Sequence, residues 1–327
     1  MSILVTGGAG YIGSILVEEL IKKERNVVVL DNLCKGHRMA IHPKAEFIKG
    51  DIADDELLDY LLSKHRIDAV IHFAAQSLVG ESVENPQKYY HDNVIKSIRL
   101  LDSMIRNSVK CIIFSSTAAI YGDPINVPIL ETDPTHPINP YGKTKLLIES
   151  VMEDYDKAFG LKYVSLRYFN AAGTSENYGE DHYPETHLIP IVLEVVQGKR
   201  KCVTVFGDDY PTEDGTCIRD YIHVIDLAIA HILALEYLKH EMNSNIFNLG
   251  NGNGHSVKEV VDIARKVTGH KIPITIGPRR PGDPARLVAS SEKIKKVLNW
   301  EPRYPELQKI IESAYKWKQR CPNGYEN

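Results

Sequence analysis

The chain has 327 residues, 43% of them hydrophobic and 25% charged, with a net charge of −4. That length suits two domains, or one large α/β domain with an appended part, and the composition is that of an ordinary soluble globular protein. Acidic and basic residues are interspersed, so no basic stripe invites nucleic acid or anionic lipid, and no apolar run approaches the roughly 18 residues of a membrane span.

The chain opens on "SILVTGG", without the charged region, apolar stretch and cleavage site of a secretory signal. Five cysteines (Cys34, Cys111, Cys202, Cys217 and Cys321) are scattered and odd in number. They read as inert thiols of a reducing compartment, so a cytoplasmic protein without disulfides, zinc or other metal is expected.

In the first half, apolar runs at 3–6, 27–30, 46–50, 69–73, 111–116 and 163–169 predict strands. Amphipathic stretches near 11–24, 54–65, 85–107 and 140–159 predict helices between them. Strands apolar on both faces, alternating with helices, predict a Rossmann-type doubly wound parallel sheet. After residue 170 the texture changes. "NAAGTSENYGEDHYPETH" (170–187) is polar and aperiodic, and reads as a loop that carries function. Beyond it, helices are predicted near 188–197, 226–240, 256–268 and 304–319, with short strands at "CVTVFG" (202–207) and "NIFNLG" (245–250). The expected organisation is a dinucleotide-binding domain at 1–170 and a smaller mixed α/β substrate domain at 171–327. Some of its segments can pack back on the first domain, and the ligand sits in the cleft.

"VTGGAGYIGS" (5–14) follows the first strand and opens the first helix. Gly8, Gly10 and Gly13 satisfy G-x-G-x-x-G, and Gly7, Gly10 and Gly13 satisfy G-x-x-G-x-x-G. Such glycines permit the tight turn and bring backbone N–H groups to a pyrophosphate. Asp31 ends the next strand, 18 residues past Gly13. Its carboxylate accepts from an adenosine ribose and repels a 2′-phosphate, favouring NAD over NADP, against which stand the nearby Lys35 and Arg38. Asp51 closes the third strand and suits either the adenine or a helix N-cap, a role Asp54 fills equally well. "HFAA" (72–75) ends the fourth strand where the cofactor's middle would lie, and His72 itself reads as structural.

"FSSTAAIYG" (114–122) places small hydroxyl residues at the carboxyl end of the fifth strand, facing the crevice. "NPYGKTK" (139–145) then puts Tyr141 and Lys145 one helical turn apart on a common face, 24 residues past Thr117. With 17 tyrosines in the chain a chance match is expected, and one occurs at Tyr60 and Lys64, mid-helix in an amphipathic pattern. That second pair is assigned to a solvated face. A free phenol titrates near ~10, and an ammonium together with a positive nicotinamide ring would bring it down. Tyr141 could then take a proton from a sugar hydroxyl as hydride leaves the same carbon, with Thr117 sharing the oxygen and Lys145 holding the nicotinamide ribose.

These motifs, with "DNL", "VGESV", "RYFNAAG", "FGDDYPTEDGTCIRDYIHVIDLA", "NLGNG" and "RRPGDPA", resemble the extended short-chain dehydrogenase/reductase family in its UDP-glucose 4-epimerase branch, nearly end to end. The resemblance implies that Thr117, Tyr141 and Lys145 are catalytic. It implies NAD contacts from Tyr11, Ile12, Asp31, Asn32, Asp51, Ile52, Phe73, Asn93, Ser116 and Phe169, beside Gly7, Gly10, Gly13, Ala74, Ala75, Tyr141 and Lys145. It implies UDP-hexose contacts from Thr117, Asn170, Leu188, Phe206, Arg219, Arg280 and Asp283. Arg219 and Arg280 have a rationale of their own, because a diphosphate suits guanidinium forks. Past "RPGD", Leu287 is the candidate for the sugar pocket, and its intermediate size predicts weak use of N-acetylated sugars. The family also implies a homodimer through two helices, which the apolar content of 94–101 and 146–155 permits, although core packing explains the same pattern.

Three departures stand out: Thr117 where members have Ser, Ser77 where some have Lys near the cofactor, and His187 where others have Asn. The implied activity is NAD-dependent interconversion of UDP-galactose and UDP-glucose through a 4-keto sugar, with no net redox. The sister 4,6-dehydratases need an acid and a base directly after the threonine, and here Ala118 and Ala119 follow Thr117.

Overall fold

The computed structural model describes residues 1–280 and 282–325. Its first part alternates strand and helix: β1 (Ser2–Thr6), α1 (Tyr11–Lys22), β2 (Asn26–Asp31), β3 (Glu46–Lys49), α2 (Asp55–Lys64) and β4 (Ala69–His72). Helices α3 (Val79–Glu84) and α4 (Pro86–Tyr89) lead through a π-helical segment at Tyr90–Ile95 into α5 (Lys96–Arg106). Then come β5 (Cys111–Thr117), α6 (Pro140–Phe159) and β6 (Lys162–Tyr168). The one helix expected at 85–107 is thus interrupted. Asn85 caps a new start, accepting from the Lys88 amide with Pro86 at the first helical position, and the π segment resets the turn before α5.

The later half holds β7 (Asn170–Ala172), α7 (Leu188–Val196), β8 (Val203–Phe206), β9 (Ile218–His223), α8 (Val224–Glu241) and β10 (Asn245–Leu249). It ends with β11 (Gly254–Ser256), α9 (Val257–Thr268), β12 (Ile274–Gly277), β13 (Arg286–Leu287), α10 (Glu292–Leu298) and α11 (Leu307–Arg320).

Seven strands form one parallel sheet in the order β10-β6-β5-β4-β1-β2-β3. Its outermost strand, β10, comes from the later half of the chain. Helix α8 returns with it and packs on α1 and against β5 and β6. Covered on several sides, α8 is apolar nearly all round, with ten buried residues including Leu227, Ala230, Leu235 and the histidine His231. The remaining elements build a smaller body. There β9 pairs with β7, β11 and β13, and β12 pairs with β8. Val192, Leu193, Val260, Ile310 and Ile311 from α7, α9 and α11 fill its core. Among the described residues no helix is long and apolar enough to cross a membrane.

Strand order reverses between β1 and β4, which makes the carboxyl ends of these two strands the topological switch point where α/β sheets bind ligands. The backbones meet closely there. Thr6 accepts from the amides of Phe73 (2.9 Å) and Ala74 (3.2 Å). Gly7 has φ of +73°, and a Cβ on it would stand 2.6 Å from the Ala74 nitrogen.

Candidate active site

The turn after β1 is built by its glycines. A Cβ on Gly13 would lie 2.3 Å from the Gly7 carbonyl oxygen, so α1 can start this tightly against the turn only with glycine there. Gly10 is the N-cap of α1, supplies no side-chain cap, and is followed by a first turn without an acidic residue. The amides that begin α1 are therefore left to an anion from outside the helix. At the end of β2, Asp31 holds one carboxylate oxygen 3.0 Å from the Ala9 amide and the other 2.8 Å from the Leu33 amide. Burial raises its carboxyl above the usual range, and these two bonds partly offset that. Asn32 donates to Asp51 at 3.1 Å, and Asp51 also pairs with Lys96 at 2.8 Å. The N-cap of α2 is Asp54, accepting from Leu57, so Asp51 is left beside Asn32 at the carboxyl ends of β2 and β3.

The two cations that could favour a 2′-phosphate are engaged elsewhere. Lys35 donates to the Tyr183 carbonyl (3.0 Å), and Arg38 stacks 4.5 Å over the Phe47 ring. An uncapped, acid-free helix start beside a ribose-accepting carboxylate fits a dinucleotide without that phosphate, which is NAD.

"NPYGKTK" is a helix start made for close approach. Asn139 caps α6 by accepting from the Gly142 amide at 2.9 Å, and Pro140 takes the first helical position. A Cβ on Gly142 would come 2.5 Å from the Ala119 carbonyl oxygen, so the glycine lets α6 lie directly on the turn after β5. That contact brings Tyr141 to Thr117. The Thr117 hydroxyl accepts from the Ala119 amide (3.2 Å) and faces the Tyr141 phenol, whose ionised form it favours. With its oxygen engaged by an amide donor, the hydroxyl has its proton to give to the phenol, which favours phenolate.

One turn on, Lys145 is buried. Its Nζ donates to the Ser115 carbonyl at 2.7 Å and lies 4.8 Å over the Phe114 ring. Burial lowers its pKa to about 7, against the field of Glu149. Burial also raises the Tyr141 phenol, opposed by the Thr117 hydroxyl. Desolvation is the largest influence on the phenol, and the lowering expected from an ammonium together with a nicotinamide ring is not seen in the chain by itself. Tyr60 and Lys64 contrast at every point, with Tyr60 exposed and the ammonium resting 5.1 Å over its ring in solvent.

Glu149, a further turn along α6, was not singled out from sequence, although it lies at the i+4 position from Lys145 on the same helix face. It accepts from Ser116 (2.5 Å) and grips Arg167 of β6 through both carboxylate oxygens (2.7 and 3.2 Å). Arg167 donates in turn to Tyr121 (2.8 Å), and Tyr121 to Asn248 of β10 (2.7 Å). This buried network fixes the floor under Lys145.

Other expected residues have structural engagements. Asn93 is buried and exchanges hydrogen bonds with the backbone of Gln76 (2.7 and 3.0 Å). The Tyr11 phenol donates to the Gly173 carbonyl at 2.6 Å. Ile52 and Phe169 are buried, and Phe73 packs 4.9 Å from the His231 ring. His72 is a core residue between Thr6 (2.7 Å) and Ser97 (2.9 Å).

A second cluster joins residues far apart in sequence. Arg219 of β9 pairs with Asp283 and donates to the Ile218 carbonyl at 2.7 Å. The Arg280 guanidinium stacks 4.0 Å over Phe206 at the end of β8. Leu287 stands opposite Arg219 in the β13–β9 register and packs with Tyr121, Phe169 and Ala289. Asn170 is exposed on β7, and Leu188 opens α7. Pro281, within "RRPGDPA", lies outside the described residues.

Residues 4–313 match the family model described as GDP-mannose 4,6 dehydratase. A UDP-glucose 4-epimerase from Halalkalibacterium halodurans is 58% identical, over 99% of this chain and 98% of its own. The chain belongs to the UDP-glucose 4-epimerase family. Among solved structures, one UDP-glucose 4-epimerase superposes with a TM-score of 0.97 at 52% identity, over 100% of both chains. The Bifidobacterium longum UDP-glucose 4-epimerase, in complex with NAD+ and UDP, superposes with 0.95 at 39% identity, over 99% of this chain and 100% of its own. The dehydratase name on the family model does not extend to the site. Ala118 and Ala119 form a short 3₁₀ turn directly after Thr117, where a dehydratase would need carboxylates.

Proposed function

We propose that the protein is an NAD-dependent UDP-glucose 4-epimerase that interconverts UDP-galactose and UDP-glucose with no net redox. The observation that carries the reading is the convergence of the Thr117 hydroxyl, the Tyr141 phenol and the buried Lys145 ammonium at a site with no carboxylate after Thr117. Bound NAD supplies the hydride acceptor, and later the donor, for sugar C4. Tyr141 takes the C4 hydroxyl proton and returns it to the ketone oxygen, with the Thr117 hydroxyl beside it. Lys145, buried one helical turn from the phenol, would hold the nicotinamide ribose. Gly7, Gly10 and Gly13, with the start of α1 at Tyr11 and Ile12, would hold the pyrophosphate. Asp31 and Asn32 would hold the adenosine ribose, and Asp51 and Ile52 the adenine. Phe73, Ala74, Ala75, Asn93, Ser116 and Phe169 would line the cofactor's remaining length.

The UDP moiety is assigned to the residues of 171–327 around Arg219, Arg280, Phe206 and Asp283, with Asn170 and Leu188 beside it. Guanidinium groups anchor a diphosphate strongly, while a hexose held by few groups can turn about that anchor. Leu287 links this cluster to Phe169 and Tyr121, and it narrows the pocket less than a tyrosine would. Weak turnover of N-acetylated UDP-sugars is expected. The reading extends to a cytoplasmic homodimer through α5 and α6, where Ile95 at the end of the π-helical segment and Leu147 of α6 are exposed. The test is to supply UDP-galactose or UDP-glucose alone. The reading requires the same mixture of both from either start. Failure to form either from the other overturns it.

A further inference from the structure

We infer that Glu180, His182, Glu185 and His187 form a binding site for one divalent cation of the zinc class. These four residues lie in "EDHYPETH", in the loop between β7 and α7, apart from the Thr117–Tyr141–Lys145 site. One donor atom from each converges, and all four lie within 4.8 Å of one another. His187 Nδ1 is 2.9 Å from an oxygen of Glu180 and 2.9 Å from one of Glu185. His182 Nδ1 is 3.2 Å from Glu180 and 4.0 Å from Glu185. A tetrahedral ion with ligands at about 2.0–2.1 Å sets them roughly 3.4 Å apart, within the range of these four spacings.

The electrostatics point the same way. The two carboxylates are nearly enclosed, with side-chain exposures of 7% and 5%. Neighbouring carboxylates buried in this way need a cation. In the chain by itself the His187 imidazole faces both carboxylates, 2.9 Å from each. A proton and a metal ion would compete for the same atoms. Two carboxylates and two neutral imidazoles together neutralise a divalent ion. Two nitrogens with two oxygens at tetrahedral spacing suit zinc. Magnesium and calcium call for six or more oxygens.

Four protein ligands leave no open position, so the role is to hold the loop. That loop bridges the two parts of the molecule. The Tyr11 ring meets His182 edge-on at 6.1 Å, Lys35 bonds the Tyr183 carbonyl at 3.0 Å, and His37 contacts the Asp181 carbonyl at 2.9 Å. His187 is also the N-cap residue of α7. A bound ion would therefore stiffen the strap between the glycine turn and α7.

The experiment uses the full chain, stripped with chelator, and titrates Zn²⁺ calorimetrically, with Mg²⁺ as the control. Expected are one Zn²⁺ per chain, no Mg²⁺, and a higher unfolding temperature with Zn²⁺ present. Singly, His182→Ala and His187→Ala should weaken Zn²⁺ by at least about a hundredfold with an unchanged circular dichroism spectrum. Should either variant fail to fold, the wild-type chain loaded with Co²⁺ decides. Intense tetrahedral ligand-field bands support the site, and the weak bands of an octahedral, water-rich ion contradict it. No binding by the wild-type chain, or equal Zn²⁺ affinity in folded wild-type and histidine variants, overturns the inference and leaves the cluster an ion-pair network only.

Discussion

Glu149 and Arg167 form a doubly bonded, fully enclosed ion pair on the side of the β5–β6 sheet that carries Lys145, with exposures of 4% and 5%. The pair is capped by Ser116 at one end and by Tyr121 and Asn248 at the other. Removing one partner leaves an uncompensated buried charge, which typically costs about 3–5 kcal/mol. Glu149→Ala should lose stability of that order in urea unfolding. A loss below about 1 kcal/mol would show that the network has little structural weight.

Tyr141→Phe should remove nearly all turnover, because loss of a general acid/base typically costs about 10²–10⁴-fold. The fold and NAD binding should persist, since only the phenol oxygen is deleted. Tyr60→Phe should leave kcat unchanged, its ring being exposed and its lysine partner solvated. Comparable damage from both would mean that the two Tyr-x-x-x-Lys pairs are wrongly distinguished.

Asp31 should carry the cofactor preference. Asp31→Ala removes the carboxylate that disfavours a 2′-phosphate, so the ratio of NADP to NAD dissociation constants should narrow. Lys35 and Arg38 are engaged with Tyr183 and Phe47, so the wild-type protein should bind NAD the more tightly. Tighter NADP binding by the wild type would overturn the assignment.

Acid should destabilise the protein through its buried neutral histidines. Burial lowers His72 to about 3 and His223 and His231 to about 4. As pH falls from about 6.5 towards 4, the unfolded chain takes up protons at these sites and the native chain does not, so stability falls. Asp220, raised to about 6 by burial, acts in the opposite sense below that pH, as do Asp31 and Asp226, whose carboxyls burial also raises. The three histidines depart further from their ordinary value than these carboxyls in the range between pH 7 and 5. The urea midpoint at pH 5 should lie below that at pH 7. His231→Gln should lessen the difference, by about 1.4 kcal/mol per pH unit at most for one proton. An unchanged or higher midpoint at pH 5 would contradict this.

Much of this was legible in the chain because local chemistry and global fold agree. Five of the six strands of the first half follow from apolar runs that are largely buried, while β3, at the sheet's edge, is exposed at Glu46 and Lys49 and half-buried between. "NPYGKTK" encodes cap, proline and close-approach glycine in order, and so fixes where Tyr141 sits. What escaped was long-range. β10 reads as one more short apolar strand, and nothing local says that it pairs with β6 across some 80 residues. The Glu149–Arg167 pair hides as an ordinary polar residue on a helix and an arginine in an apolar strand. The Glu/His cluster was visible only as a polar loop, and the sequence alone gave no reason to expect a metal there. The neighbours of the phenol were legible but its desolvation was not, because burial is a property of the packed site.

The most direct measurement follows the hydrogen on sugar C4. UDP-galactose carrying deuterium at C4 is incubated with the protein, and the UDP-glucose formed is analysed by mass and NMR while the absorbance of reduced nicotinamide is monitored. An epimerase that returns the hydride inside the site yields UDP-glucose with the deuterium still on C4 and no accumulation of free NADH. Loss of the label, stoichiometric free NADH, or a dehydrated sugar would contradict the account.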